Sequence, residues 1–102
     1  MTVKYQIVYW RDIPAQVKVR EGRTRHGKPL AERFEKAIDQ AAMYAGLTGS
    51  DDYLNEWRAG EWQEQEGPAE DVAVAVAAKL ETAYPDKRLR AIAKNGGYET
   101  GE

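Results

Sequence analysis

Residues 29–46, PLAERFEKAIDQAAMYAG, form the pattern around which the rest of the chain must fold. The apolar positions recur every three or four residues, the period of one helix face. They are Leu30, Phe34, Ala37, Ile38, Ala41 and Ala45. Pro29 suits the first turn of a helix, and Gly46 suits the left-handed residue that follows the last turn. The other positions are mostly charged or polar, so we predict an amphipathic helix that covers one face of a sheet.

The N-terminal segment is predicted to supply that sheet. Along residues 3–10, β-branched and aromatic side chains alternate with others, which indicates a strand. Residues 11–14 are typical of a turn, and residues 15–19 alternate again. We therefore predict an antiparallel hairpin with one apolar face, followed by an exposed loop over residues 21–28.

The segment after the central helix is predicted to be short and irregular. Ser50 is a suitable N-cap, so residues 50–60 predict a short helix that ends near Gly60. Residues 61–66, EWQEQE, predict either a short edge strand or an extended loop, because Trp62 has no apolar partner there. Acidic side chains would protect such an edge from pairing with other chains.

The C-terminal part completes an α+β fold. Residues 67–84 predict a second long helix, and residues 86–94 predict a last basic helical turn or two. The predicted fold is an N-terminal antiparallel hairpin, with or without a third short strand, packed against two long helices with a short helix between them. We expect one domain over residues 1–94 and a disordered tail over residues 95–102.

The composition excludes several classes of function. Apolar residues make up 42% and charged residues 31% of the 102 residues, as in a folded protein with a modest core. The chain has no cysteine and a single histidine, His26, so thiol chemistry and multi-histidine metal sites are excluded. Since no apolar run approaches the roughly 20 residues of a spanning helix, and no signal peptide pattern is present, we expect a cytoplasmic protein without membrane association.

Charge is distributed unevenly along the sequence. Residues 1–36 contain nine lysines and arginines against four acids, whereas residues 51–71 contain one arginine against eight acids. The basic stretch over residues 20–28 precedes the central helix; its basic residues are Arg20, Arg23, Arg25, His26 and Lys28. These side chains either bind a phosphate, a carboxylate or an acidic protein surface, or simply keep a loop solvated. The glycine spacing of a phosphate-binding loop is absent.

Two tryptophans and one turn are further candidates for a binding surface. Trp10, beside Arg11 and Asp12, and Trp62, in an acidic segment, have no obvious apolar neighbourhood, and an exposed Trp is a common anchor for a partner. The low overall pI and the acidic half argue against nucleic acid as the partner.

Catalytic and metal sites are not expected. His26 has no accompanying nucleophile, because Ser50 is the only serine and serves better as a cap. The acids of residues 51–71 lack the spacing of a calcium loop, and helix capping explains most of them. We therefore predict no catalytic residues, no metal and no cofactor, while an enzyme built on His26 stays an open alternative.

The sequence resembles a bacterial family of small domains called "virulence factor". The resemblance rests on YQIVYWRDIPAQV, the basic stretch, LAERFEKAIDQAAMYAGL and DDYLNEWRAG, which together span residues 5–60. It implies a short stand-alone protein of the kind found in alphaproteobacteria. It also implies an association with folate or corrinoid one-carbon metabolism, and it supplies no catalytic residues.

The leading hypothesis is a non-enzymatic accessory protein that binds another protein. Its predicted surface combines the turn of residues 10–13 with the basic stretch and Trp62. The alternative is a small-molecule or anion-binding protein, for a nucleotide-like or folate-like ligand, that uses residues 20–28.

Overall fold

A computed structural model describes residues 2–99 and has an α+β fold. Within these residues, an antiparallel sheet of five strands is combined with four helices. The strands are β1 (Thr2–Trp10), β2 (Ile13–Glu21), β3 (Thr24–Pro29), β4 (Trp57–Ala59) and β5 (Gln63–Glu66). The helices are α1 (Glu32–Ala45), α2 (Asp51–Asn55), α3 (Ala69–Ala83) and α4 (Asp86–Lys94).

The predicted N-terminal hairpin is confirmed, and the sheet is wider than predicted. The strand order is β3-β2-β1-β4, and β5 pairs with β1 alongside β4. Both β4 and β5 therefore lie on the same side of β1, one after the other. Of the two readings of residues 61–66, the edge strand is correct for Gln63–Glu66.

The prediction of an exposed loop over residues 21–28 is wrong, because residues 24–29 form β3. Glu21 pairs with Thr24 across a two-residue turn, and Gly22 takes the first central position with a φ of 58°. A glycine with positive φ at that position is typical of a tight hairpin turn. Pro29 therefore ends a strand instead of starting a helix, and α1 begins at Glu32.

A bulge separates the two halves of the first hairpin. Val8 pairs with Gln16 and Tyr9 pairs with Pro14, so Ala15 is the extra residue in β2. Its carbonyl accepts a hydrogen bond from the Leu30 amide at 3.1 Å. The bulge thereby links β2 to the start of the segment that leads into α1.

Helix α3 packs against β1, β2 and β3, helix α1 packs against β2 and α4, and together they enclose the core. Phe34 and Ile38 of α1 are only 1% and 3% exposed, as the period of residues 29–46 predicts. Val72 and Ala77 of α3 join the same apolar cluster, together with Val17 and other residues of β1 and β2. Gly46 ends α1 with a φ of 72°, the predicted left-handed conformation.

The short helix begins after Ser50 as predicted but ends earlier than predicted. α2 ends at Asn55 instead of near Gly60, and residues 57–59 form β4 against the end of β1. The Ser50 side chain makes no capping hydrogen bond; its hydroxyl donates to the Leu47 carbonyl at 2.6 Å.

The C-terminal part forms α4 and then contacts the turn between β1 and β2. α4 covers the whole predicted range, Asp86–Lys94, and packs against α1. Beyond α4, within the range expected to be a tail, Gly96 and Gly97 are buried and the Asp12 amide donates to the Gly97 carbonyl at 2.8 Å. The part of the tail over residues 100–102 lies outside the described residues. None of the helices in residues 2–99 is long and apolar enough to span a membrane.

Candidate functional site

The two halves of the predicted binding surface lie at opposite ends of the first hairpin. The turn at Arg11 and Asp12 joins β1 to β2, and the turn at Gly22 joins β2 to β3. Nine residues of β2 separate the two turns, which at about 3.3 Å per residue is a distance of roughly 30 Å. They do not form one contiguous site.

Trp10 is a core residue, so the expectation that it lacks an apolar neighbourhood is wrong. Its side chain is 0% exposed. Its ring lies 5.4 Å from that of Tyr53, centroid to centroid, and its Nε1 donates to the Tyr53 carbonyl at 2.8 Å. Trp10 thus fixes α2 to the end of β1 and is inaccessible to a partner.

Arg11 also holds parts of the chain together. Its guanidinium donates to the Gly96 carbonyl at 2.8 Å and to the Glu56 carboxylate at 3.1 Å. It also lies 4.6 Å from the ring centroid of Tyr98. The backbone of Arg11 adopts a φ of 53°, a conformation that is uncommon for residues other than glycine, asparagine and aspartate.

Asp12 completes this junction between the first turn and the C-terminal segment. Its carboxylate accepts a hydrogen bond from the Glu99 amide at 2.8 Å and lies 3.4 Å from Arg58. The side-chain carboxylate of the same Glu99 accepts two hydrogen bonds from Arg88, at 2.5 and 2.8 Å. These bonds lower the pKa of Glu99. Residues 10–12 are therefore accounted for by structural contacts.

Strand pairing divides the predicted basic stretch between the two faces of the sheet. Lys4, Arg20 and Arg25 are directly opposite one another across β1, β2 and β3. Directly opposed residues share a face, so these three side chains form one line, here called the basic row. Lys18, two residues before Arg20, lies on the same face beside it. This face is opposite to the one that carries the buried Val17 and Val19.

Within residues 2–99, the side chains of the basic row form no ion pairs. All three side chains are exposed, and neither they nor Lys18 form an ion pair with another described residue. Arg20 donates one long hydrogen bond, 3.4 Å, to the Gly22 carbonyl. Glu64 of β5 continues the row on the far side of Lys4, so an acidic residue borders it at one edge.

The other basic residues of the stretch point elsewhere. His26 pairs with Val19 and Lys28 pairs with Val17, so both lie on the helix-covered face, at the outer strand β3. Arg23 lies in the exposed turn after Gly22. Arg20 and Arg25 are therefore the only two of the five predicted basic residues that the pairing brings together on the open face.

Trp62 is accessible but stands apart from the basic row. It is 43% exposed and lies immediately before β5. Its neighbours in the sequence are Glu61 and Gln63, so its surroundings are acidic and polar. The acids of this region do not gather around a metal position: within residues 2–99, no three histidine, aspartate or glutamate side chains are close enough to hold an ion.

One feature that the sequence patterns did not reveal is a groove between α3 and the edge of the sheet. Tyr5 and Ile7 of β1 form one wall, and Val72, Val76 and Leu80 of α3 form the other. Its volume is about 610 Å³, and we call it the α3 groove. The groove forms because α3 does not cover all of the sheet face at β1 and β5. The half-buried positions of Tyr5 and Ile7 follow from that incomplete cover.

The geometry defines a small α+β protein whose sheet is covered by α3 on one face and carries the basic row on the other. The chain belongs to the Virulence factor family, whose family model matches residues 8–93. No curated protein and no solved structure gives a significant match. The family resemblance read from the N-terminal motifs is therefore confirmed, and the match extends through α3 and nearly to the end of α4.

Proposed function

We propose that this protein is a non-enzymatic interaction domain that binds an acidic surface of a partner protein through the basic row. The observation that carries the proposal is the direct opposition of Lys4, Arg20 and Arg25 on an open sheet face, without ion pairs inside residues 2–99.

This arrangement has a cost in the free protein. Like charges that face each other across neighbouring strands destabilise a sheet by a few tenths of a kcal/mol to about 1 kcal/mol per pair. Carboxylates of a partner placed over the row would attract these side chains. The electrostatic free energy that is unfavourable in the free protein would therefore become favourable in the complex. Complementary charge of this kind raises the association rate and selects the partner.

The shape of the face favours a macromolecule over a small ligand. Three adjacent strands at about 4.8 Å spacing present a strip roughly 10 Å wide. Small-molecule sites are usually concave and largely apolar, whereas the side chains of the basic row project from a sheet into solvent. We further propose that the protein works in the cytoplasm. Proteins that handle folate or corrinoid one-carbon groups are the first candidate partners to test.

The decisive experiment compares two variants with equal changes in charge. Arg20→Glu with Arg25→Glu reverses the basic row, and Lys87→Glu with Arg90→Glu makes the same change on the exposed side of α4. Tagged wild-type and variant proteins are expressed at native level, and the captured proteins are identified and then titrated as purified pairs. We expect a partner with an acidic surface whose affinity falls at least tenfold for the first variant and less than threefold for the second.

Two results would overturn the proposal. A partner that binds both variants equally would show that the row is not the contact surface. Capture of nucleic acid that nuclease treatment removes, lost with the row variant, would assign the face to nucleic acid instead of protein.

A small anionic ligand is the second candidate, and one observation favours it. Arg20 and Arg25 are directly opposite each other on the same face, so two guanidinium groups can reach one phosphate or carboxylate. A thermal-shift screen with nucleotides, folates and inorganic phosphate tests it. Stabilisation that Arg25→Glu abolishes would favour this candidate, and the absence of any shift would discard it.

A further inference from the structure

Helix α3 presents an unusually apolar side to solvent. Val74 is 50% exposed, and Ala75 and Ala78 are exposed beside it. This side adjoins the α3 groove, whose walls are also mainly apolar, so the two form one continuous apolar surface. A surface of this kind on a small protein commonly marks an interface.

Charged residues border this surface in a particular order. Asp71, Ala75 and Lys79 all line the α3 groove and follow one another at intervals of four residues, so they lie along one side of the helix. Asp71 and Lys79 are about 12 Å apart along the axis and cannot reach each other. Neither forms an ion pair with another residue of the described part of the chain.

We propose that the α3 groove binds α3 of a second copy of this chain, in a two-fold symmetric dimer whose axis passes near Ala75. In an antiparallel pair of helices related by that axis, each residue faces the one equally far beyond Ala75 on the other copy. Asp71 of each copy therefore faces Lys79 of the other, and two ion pairs form. A symmetric interface of this kind is self-complementary and closes without leaving free ends.

The residue at the crossing point suits this arrangement. Ala75 is small, and small side chains at the contact allow two helices to approach to the near end of the usual 8–10 Å range. The second α3 would also add apolar cover beside Tyr5 and Ile7, which one α3 leaves half exposed. The dimer contact lies on the side of the sheet opposite the basic row. The experiments on partner binding and on dimerisation therefore test separate surfaces, and either proposal can fail without the other.

Charge reversal gives a sharp test, because the two single variants should complement each other. Asp71→Lys places four positive charges at the contact of two copies, and Lys79→Asp places four negative charges there. Mixing the two variants restores two opposite pairs. We expect the wild-type protein to show the mass of two chains in sedimentation velocity. Each single variant should dimerise at least about tenfold more weakly, and the equimolar mixture should form a dimer with near wild-type affinity.

Further variants separate this effect from loss of folding. Glu70→Lys changes the same helical turn but lies outside the groove lining, so it is the matched control for Asp71→Lys. Ala75→Glu puts two like charges on the symmetry axis and should also give monomers. Each variant is checked by circular dichroism and urea unfolding. If Asp71→Lys fails to fold, Ala75→Glu and Lys79→Asp alone decide the result.

The outcomes that contradict the proposal are equally definite. A wild-type protein that stays monomeric up to millimolar concentration overturns it. A dimer that survives Ala75→Glu, or single variants that do not combine when mixed, would place the interface elsewhere. A monomer stabilised by an apolar small molecule in the α3 groove would assign the groove to a ligand and also overturn it.

Discussion

Gly97 of the C-terminal segment lies against Trp10 and Arg11 at the end of β1. Its φ of 98° favours glycine, and a Cβ there would lie 2.9 Å from Cζ3 of Trp10 and 3.2 Å from Cδ of Arg11. Both neighbours are fixed by hydrogen bonds, so neither can move away cheaply. We expect Gly97→Ala to lower the free energy of unfolding by about 2–4 kcal/mol, measured by urea denaturation.

Gly49→Ala is the matched control for that prediction. Gly49 also has a positive φ, 77°, but a Cβ there would meet nothing within 4 Å. Gly49→Ala should therefore lower the free energy of unfolding only by the cost of a left-handed backbone at a non-glycine residue, about 1–2 kcal/mol. Equal losses for the two variants would show that the close approach to Trp10 contributes nothing to stability.

Residues 10–12 show why sequence patterns alone do not reveal contacts between distant parts of the chain. The sequence correctly places Trp10 at the end of a strand, but it does not reveal that Trp10 is a core residue. The partners of Trp10 and Arg11 are distant along the chain: Tyr53 is 43 residues from Trp10, and Gly96 is 85 residues from Arg11. No local spacing predicts such contacts, so side chains that bind other parts of the same chain resembled a binding surface for another molecule.

The C-terminal segment as an element is fixed partly by charge, which makes its attachment dependent on pH. Hydrogen bonds from Arg88 lower the pKa of Glu99 below its ordinary value of 4.5. A lowered pKa in the folded state means that the ionised form favours folding. The contribution is therefore complete above pH 4.5 and is lost as the pH falls through the lowered value.

We expect an NMR titration of the Glu99 side-chain carboxyl to show a midpoint below that of an unpaired glutamate. Arg88→Ala should return it to the ordinary range, because the two hydrogen bonds are lost. Arg90→Ala, on the same helix but without an ion pair to residues 2–99, should leave the midpoint unchanged. A Glu99 midpoint that is the same in wild type and Arg88→Ala would contradict the pairing.

The elements differ in how well the sequence predicts them, and the reason is packing. α1 and α3 each bury an apolar stripe, so their periodicity is visible in the sequence and both helices were predicted. β3 is an edge strand, TRHGKP, whose residues are mostly exposed, so it has no apolar alternation to detect. The one local signal is the glycine of the two-residue turn between Glu21 and Thr24.

At the scale of the whole molecule, strand pairing determines which charged side chains share a face of the sheet, whereas the sequence shows only that charge is unevenly distributed. The basic row comes from three strands, and only Arg20 and Arg25 belong to the stretch that the sequence singles out. Lys4 joins them through strand pairing, and Glu64 borders them through β5. Neither position could be assigned before the register of the sheet was known, because a shift of one residue would reverse the faces.

The open face also leads to a prediction in which stability and binding change in opposite directions. Arg25→Glu replaces a repulsive cross-strand pair with an attractive one opposite Arg20. We expect the free energy of unfolding to rise by about 0.5–1 kcal/mol at low salt while affinity for an acidic partner falls. Urea denaturation is the suitable measurement, because guanidinium chloride would itself screen the charges.

Arg25→Gln and added salt isolate the electrostatic part of this effect. Arg25→Gln removes the repulsion without adding attraction, so its stability should lie between those of the wild type and Arg25→Glu. Salt screens exposed charges over about 10 Å at 0.1 M and about 3 Å at 1 M, so the three proteins should converge in stability as salt is raised. The same screening should weaken partner binding by the wild type. An Arg25→Glu protein less stable than Arg25→Gln at low salt would mean that Lys4, Arg20 and Arg25 do not repel one another in the free protein, and the energetic reason for assigning this face to an acidic partner would be lost.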